Sequence, residues 1–188
     1  MKRAVIIHGW EGCPEEGWFP WLKKELEAKG FEVAVPAMPN PEEPTIEDWV
    51  MKLKEIVGQP DRETYLIGHS IGCQTVLRYL ERLGGEVKVG GVVLVAGWVH
   101  LKPVVFTEEG AEDIARSWID TPIDWEKIRL HCDRFLAVFS DDDPFVPLDD
   151  SKIFEEKLGA KIVIEKNLQH INGEAGVTEL PSILGFFE

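Results

Sequence analysis

Short apolar runs alternate along this chain with longer stretches in which apolar residues return every three or four positions. Residues 4–7, 31–35, 64–67, 90–96, 135–139 and 161–164 have strand length and are bounded by Gly, Pro, Asp or charged residues. Residues 18–28 place Phe19, Leu22, Leu26 and Ala28 against Lys23, Lys24, Glu25 and Glu27, a one-sided helix stopped by Gly30. Thr45 caps a second helix running from Ile46 to about Val57, with Asp48 in its first turn. Further helices are predicted from about Thr75 to Leu83, over 125–130 and 152–158, and in a tail at 180–186. The proline-rich stretch 36–44 excludes helix and reads as a loop across the sheet end. Because 90–96 is apolar without interruption, both of its faces need cover. The alternation predicts one domain over 1–188, an α/β fold of three layers. About six mostly parallel strands carry helices on both faces. From 97 to 122 the pattern loosens, which reads either as a short cap at about 98–124 over the strand ends or as an ordinary crossover with one helix.

Composition narrows the functional classes. At 188 residues and 44% hydrophobic content the chain can bury a full core. Its 34 acidic and 20 basic residues give a formal charge of −14, which argues against binding nucleic acid or an anionic membrane. No stretch approaches transmembrane length, and residues 4–7 are too short for a signal sequence. Three widely spaced cysteines, Cys13, Cys73 and Cys132, suggest free thiols in a reducing cytoplasm. His131 and Asp133 flank Cys132 without ligand spacing, and no phosphate loop or dinucleotide fingerprint occurs. No metal or cofactor is therefore expected.

The chemistry concentrates at Gly68-His69-Ser70-Ile71-Gly72, between a predicted strand and a predicted helix. So short a reversal strains its middle residue and pushes that side chain outward, and a Cβ at either glycine would collide with the neighbouring elements. This is the G-x-S-x-G nucleophile elbow, with Ser70 as the candidate nucleophile; the bland alternative is a glycine-rich turn that happens to hold a serine. A serine hydroxyl needs a base, and the base needs an orienting carboxylate. In α/β-hydrolases they follow in the order Ser, Asp or Glu, His. His170, after the last strand, fits the base, and the loop after 135–139 offers Asp141, Asp142 and Asp143. Pro144 disfavours helical geometry for Asp143, but local chemistry leaves all three open. His8, His69, His100 and His131 read as packing or surface residues. The N–H of Ile71 is one candidate oxyanion donor, and the loop His8-Gly9-Trp10 offers a second, the N–H of Trp10.

Several segments carry a family resemblance. They are Gly17-Trp18 with Trp21-Leu22-Lys23-Lys24-Glu25-Leu26, Met38-Pro39-Asn40-Pro41, Gly68-His69-Ser70, Arg78-Tyr79, Trp125-Glu126-Lys127-Ile128, Asp142-Asp143-Pro144-Phe145-Val146-Pro147, and His170. With them the chain resembles the small α/β-hydrolases of the retinoblastoma-binding-protein-nine serine hydrolase family. The resemblance implies an α/β-hydrolase fold with a small cap, a serine hydrolase without cofactor, and Asp143 as the orienting carboxylate. The first loop, His8-Gly9-Trp10-Glu11-Gly12, is less glycine-rich than in some relatives. The expected reaction is hydrolysis of a small-molecule carboxylic ester with a short acyl chain, held by Trp98, Val99, Leu101 and Phe106 of the cap. A peptidase, amidase or acyl transferase would use the same residues, and a non-catalytic protein-binding module would use none.

Overall fold

The apolar runs become the strands of one parallel sheet, which a computed structural model describes for residues 1–107 and 109–188. Glu108, within the expected cap, lies outside the described residues. Strands β1 (Arg3–Ile7), β2 (Glu32–Ala34), β3 (Thr64–His69), β4 (Gly91–Val95), β5 (Phe135–Ser140) and β6 (Lys161–Glu165) lie in the order β2-β1-β3-β4-β5-β6. Every neighbouring pair is parallel, so each connection must return over a face of the sheet. Helices α1 (Phe19–Ala28), α2 (Ile46–Val57), α3 (Ile71–Glu81), α4 (Ala111–Ile119), α5 (Trp125–His131) and α6 (Asp150–Leu158) lie in those connections.

The two-residue period of the strands divides the core into two layers. Val5, Ile7, Leu66, Val92, Leu94, Ala137 and Phe139 face Trp49 and Leu53 of α2, Leu77 of α3 and Phe154 of α6. Ala4, Ile6, Ile67, Val93, Val95 and Val138 face Phe19, Leu22 and Leu26 of α1, together with Ile183 and Phe187 of the tail. Each Leu or Ile that becomes fully buried stabilises the fold by roughly 1.5–3 kcal/mol. The chain starts at β1, steps outward to β2, then returns to β3 on the other side. The carboxyl ends of β1 and β3 thus flank the crevice where parallel sheets bind ligands.

Some elements depart from their predicted bounds. Helix α3 begins directly after Ser70, and lies so centrally that even Arg78 and Tyr79 are buried. The tail is a 3₁₀ run, Pro181–Phe187, rather than an α-helix. Pro181 cannot donate a backbone bond and Gly185 disfavours helix, so packing of Ile183 and Phe187 holds the segment instead. His131 is buried at the end of α5, where its Nδ1–H donates to the Val87 carbonyl (2.7 Å). Between β4 and α5 stand a 3₁₀ turn, Pro103–Thr107, and α4, whose Ala111, Ala115 and Trp118 are buried while Glu112 and Asp113 face out. Trp118 meets Trp49 edge-on at 6.4 Å and donates its indole N–H to the Pro44 carbonyl (3.0 Å). Arg78 reaches across from α3 to the carbonyls of Trp118, Thr121 and Pro122, supplying donors to groups that a helix end leaves unpaired. Among the described residues no helix is long and apolar enough to cross a membrane.

Candidate active site

Strand β3 ends at His69 and α3 starts at Ile71, so Ser70 alone makes the reversal. Its backbone stands at φ 53° and ψ −120°, a region costly for any residue with a side chain. The packing around the turn explains both glycines. A Cβ on Gly68 would lie 2.6 Å from the Cys73 nitrogen, and one on Gly72 would lie 2.5 Å from the Ile7 carbonyl oxygen. The strained turn is pinned at each side: Ser70 N–H donates to the Val95 carbonyl and Cys73 N–H to the Ser70 carbonyl, both at 2.9 Å. Cys73 is buried against the Gly68 and Val95 carbonyls, and that burial pushes its thiol pKa up, so it packs as an inert side chain.

The three aspartates that local chemistry leaves open take different partners. His170 Nδ1 lies 2.8 Å from Asp143 Oδ2, and both residues are buried. The other oxygen of Asp143 accepts from Phe145 N–H (2.8 Å) and Val146 N–H (3.0 Å). Asp141 and Asp142 instead accept from the backbone N–H groups of Asn167 and Gln169. The Phe145 ring stands edge-on to the His170 imidazole, centroids 5.1 Å apart. Lys102 donates from its ammonium to the Asp143 carbonyl (2.6 Å) and from its backbone to the Phe145 carbonyl (2.8 Å), stitching the 98–124 segment to this loop.

Ser70 and His170 share the wall of a cavity of about 410 Å³ with Trp10 and Ile71. The N–H groups of Trp10 and Ile71 make no hydrogen bond to a described residue. Of the four residues expected to line the apolar side, Trp98 and Leu101 do so; Val99 and Phe106 do not. Val99 packs on the core and donates its N–H to Asp150, while Phe106 lies beneath the Arg116 guanidinium at 5.7 Å. Val104, Val105 and Ala111 take their places, because the 3₁₀ turn sets which side chains point inward. The Val104-Val105 pair was the available sequence signal, visible only once that turn is known.

The remaining histidines have structural partners. His8 Nε2 accepts from Met38 N–H (3.0 Å), so its proton sits on Nδ1 and is donated to the Gly9 carbonyl (2.8 Å). Burial holds its pKa below the ordinary value, and the neutral ring shapes the first loop. His69 donates from Nε2 to the carbonyl of His170 (2.9 Å), joining the serine turn to the loop of the second histidine. Burial, with the nearby His170 ring, pushes the His69 pKa down to about 3, so it stays neutral. This brace spans 101 positions of sequence, and no local pattern announces it. His100 pairs with Asp150 at 2.7 Å. Among the described residues no group of His, Cys, Asp and Glu is arranged to hold a metal ion.

A parallel sheet covered on both faces, with a strained serine turn after its central strand and a His–Asp pair after later ones, defines an α/β-hydrolase. A family profile described as serine hydrolase matches residues 4–188, and the chain belongs to that family. It is 32% identical over 182 residues to YdeN of Bacillus subtilis (strain 168), covering 97% of this chain and 92% of that protein. It is 30% identical over 164 residues to serine hydrolase RBBP9 of Rattus norvegicus, covering 85% and 82% respectively. The crystal structure of the ydeN gene product superposes with a TM-score of 0.90 at 31% identity, covering 100% of this chain and 97% of that one. Est1E from Butyrivibrio proteoclasticus, with ferulic acid bound, shares the fold at a TM-score of 0.72 and 18% identity, covering 91% and 82%.

Proposed function

We propose that this serine hydrolase cleaves carboxylic esters of short acyl chains, with Ser70 as nucleophile, His170 as base and Asp143 as the orienting carboxylate. The observation that carries this reading is the 2.8 Å bond from His170 Nδ1 to buried Asp143, with His170 itself on the wall of the cavity that Ser70 also lines. An ionised Asp143 accepts the Nδ1 proton, which leaves the lone pair on Nε2. Nε2 takes the hydroxyl proton as Ser70 Oγ adds to the acyl carbonyl. The negative charge that develops on the carbonyl oxygen is met by the N–H groups of Ile71 and Trp10, with the N-terminus of α3 adding positive potential. The imidazolium then gives its proton to the departing alkoxide, leaving an acyl-serine. Water, deprotonated by His170, cleaves that ester, and Ser70 recovers its proton. Asp143 remains ionised throughout.

The 98–124 segment acts in this reading as a small cap. Trp98, Leu101, Val104 and Val105 present an apolar wall suited to a short hydrocarbon. The cavity of about 410 Å³ is modest in size, which favours short chains. A fluorophosphonate should label the protein at Ser70, and Ser70→Ala should abolish the label. Among p-nitrophenyl esters, acetate and butyrate should give higher kcat/KM than long-chain esters. Absence of labelling while a control esterase reacts would sink the serine assignment. Matched amides cleaved as fast as esters would overturn the ester assignment.

A further inference from the structure

The loop that presents His170 is left-handed at three positions, none of them glycine: Asn167 (φ 57°), Gln169 (φ 47°) and Ile171 (φ 51°). A Cβ disfavours this backbone, most of all in β-branched isoleucine. Opposite the loop stands a row of acceptors at the end of β5. Asp141 Oδ1 accepts from Asn167 N–H (2.9 Å), Ser140 Oγ from Leu168 N–H (3.1 Å), and Asp142 Oδ1 from Gln169 N–H (2.8 Å). The Ser140 hydroxyl donates in turn to Asp142 Oδ1 (2.7 Å), so the row is itself linked. Three consecutive donors meet three consecutive acceptors. One row ends directly before His170 and the other directly before Asp143.

The juxtaposition assigns work to two carboxylates that the proposed chemistry does not use. We infer that Ser140, Asp141 and Asp142 form a clamp that sets the His170 imidazole in register with Asp143 and Ser70; the inference rests on the reading of His170 as the base. These three are positioning residues, since each touches backbone and none touches the cavity. Without them, a loop with three left-handed residues relaxes, and the imidazole leaves its alignment although every reacting group is still present. The clamp uses oxygen acceptors rather than charge. The hydroxyl of Ser140 makes the middle bond, and an amide oxygen could replace either carboxylate oxygen. Asn should therefore work at 141 and 142.

The test compares Asp142→Ala with Asp142→Asn, and Asp141→Ala with Asp141→Asn, by steady-state turnover of p-nitrophenyl acetate. Both members of each pair lose the same charge, so their difference reports the acceptor alone. The Ala variants should lose roughly 10- to 100-fold in kcat with KM within about two-fold of the parent, as expected when a reacting group is displaced without loss of binding. The Asn variants should recover to within about three-fold of the parent. Ala variants with the parental kcat, or Asn variants as impaired as their Ala counterparts, would overturn the clamp. Should Asp142→Ala fail to fold, judged by its thermal melt, the Asp141 pair, whose side chain takes only the Asn167 N–H, carries the comparison. His170→Gln keeps the two readings apart. Retained fluorophosphonate labelling in that variant overturns His170 as the base, whereas a dead His170→Gln beside fully active Ala variants overturns the clamp alone.

Discussion

Asp143→Asn is the substitution in which the geometry makes the sharpest demand, because it exchanges one oxygen for an NH₂ of nearly the same size. In the parent, Oδ1 receives the N–H groups of Phe145 and Val146, and Oδ2 receives His170 Nδ1–H. Two backbone donors on one side dictate how the amide turns: its oxygen stays with them and its NH₂ is placed opposite His170. An NH₂ cannot accept the Nδ1 proton, so the imidazole adopts the tautomer with its proton on Nε2 and loses the lone pair that Ser70 needs. The expected loss is about 10⁴-fold in kcat, equivalent to about 5.4 kcal/mol in the barrier. Folding should suffer far less. Two bonds to a charged acceptor become bonds to a neutral one, a change of about 1–2 kcal/mol, or several degrees in Tm. The assay is kcat on p-nitrophenyl acetate together with the rate of fluorophosphonate labelling, with a thermal melt as the folding control. A folded Asp143→Asn enzyme that kept more than about a tenth of the parental kcat would refute the tautomer reasoning. So would Asp142→Asn proving the more damaging of the two.

Two further predictions concern the turn and the buried histidine beside it. Gly72→Ala forces a Cβ to within 2.5 Å of the Ile7 carbonyl oxygen and 2.7 Å of that of His8, both backbone atoms of the first strand and its loop. It should destabilise by about 3 kcal/mol, the upper part of the usual overpacking cost, whereas Gly84→Ala, with nothing within 4 Å of the added carbon, should melt close to the parent. Equal melting temperatures for the two variants would contradict this packing. His69, with a folded pKa of about 3 against an ordinary 6.5, binds its proton more readily in the unfolded chain. Stability from this group is therefore complete above pH 6.5 and is lost progressively as pH falls toward 3, by about 1.4 kcal/mol per pH unit. Urea unfolding at pH 7 and pH 4.5 should differ by about 3 kcal/mol from His69 alone, and His69→Gln should flatten that slope. An unchanged slope in the variant would show that His69 is not the group responsible.

Much of this molecule is legible in its sequence. The runs around Ile6, Ile67, Val93 and Val138 are apolar on both faces, which a parallel sheet between two helical layers requires. Gly68 and Gly72 flank Ser70 because the strand-to-helix reversal has no room for a Cβ, and that constraint acts within five residues. His170 stood out because it follows the last strand of the sheet. The resemblance implies Asp143, whereas local chemistry leaves Asp141, Asp142 and Asp143 open even with Pro144 acting on the last of them. They separate once β5 and β6 pair in register, with Ser140 beside Glu165 and Asp141 N–H on the Glu165 carbonyl. That register lays the two loops side by side, and each aspartate then meets a different partner.

The cavity wall, the brace from His69 to the His170 carbonyl and the 3₁₀ tail lay beyond the local pattern for the same reason. Helical and strand periods, turn glycines and caps depend on neighbours a few residues away, so composition and spacing are enough to read them. Whether Val99 or Val104 faces the cavity depends on how one 3₁₀ turn seats against a core built from distant segments. Whether a histidine 101 residues from its partner braces it depends on six strands stacking in one order. The strained serine is a property of five consecutive residues; the cavity that it shares with His170, and the bond from His170 to Asp143, belong to the packed sheet.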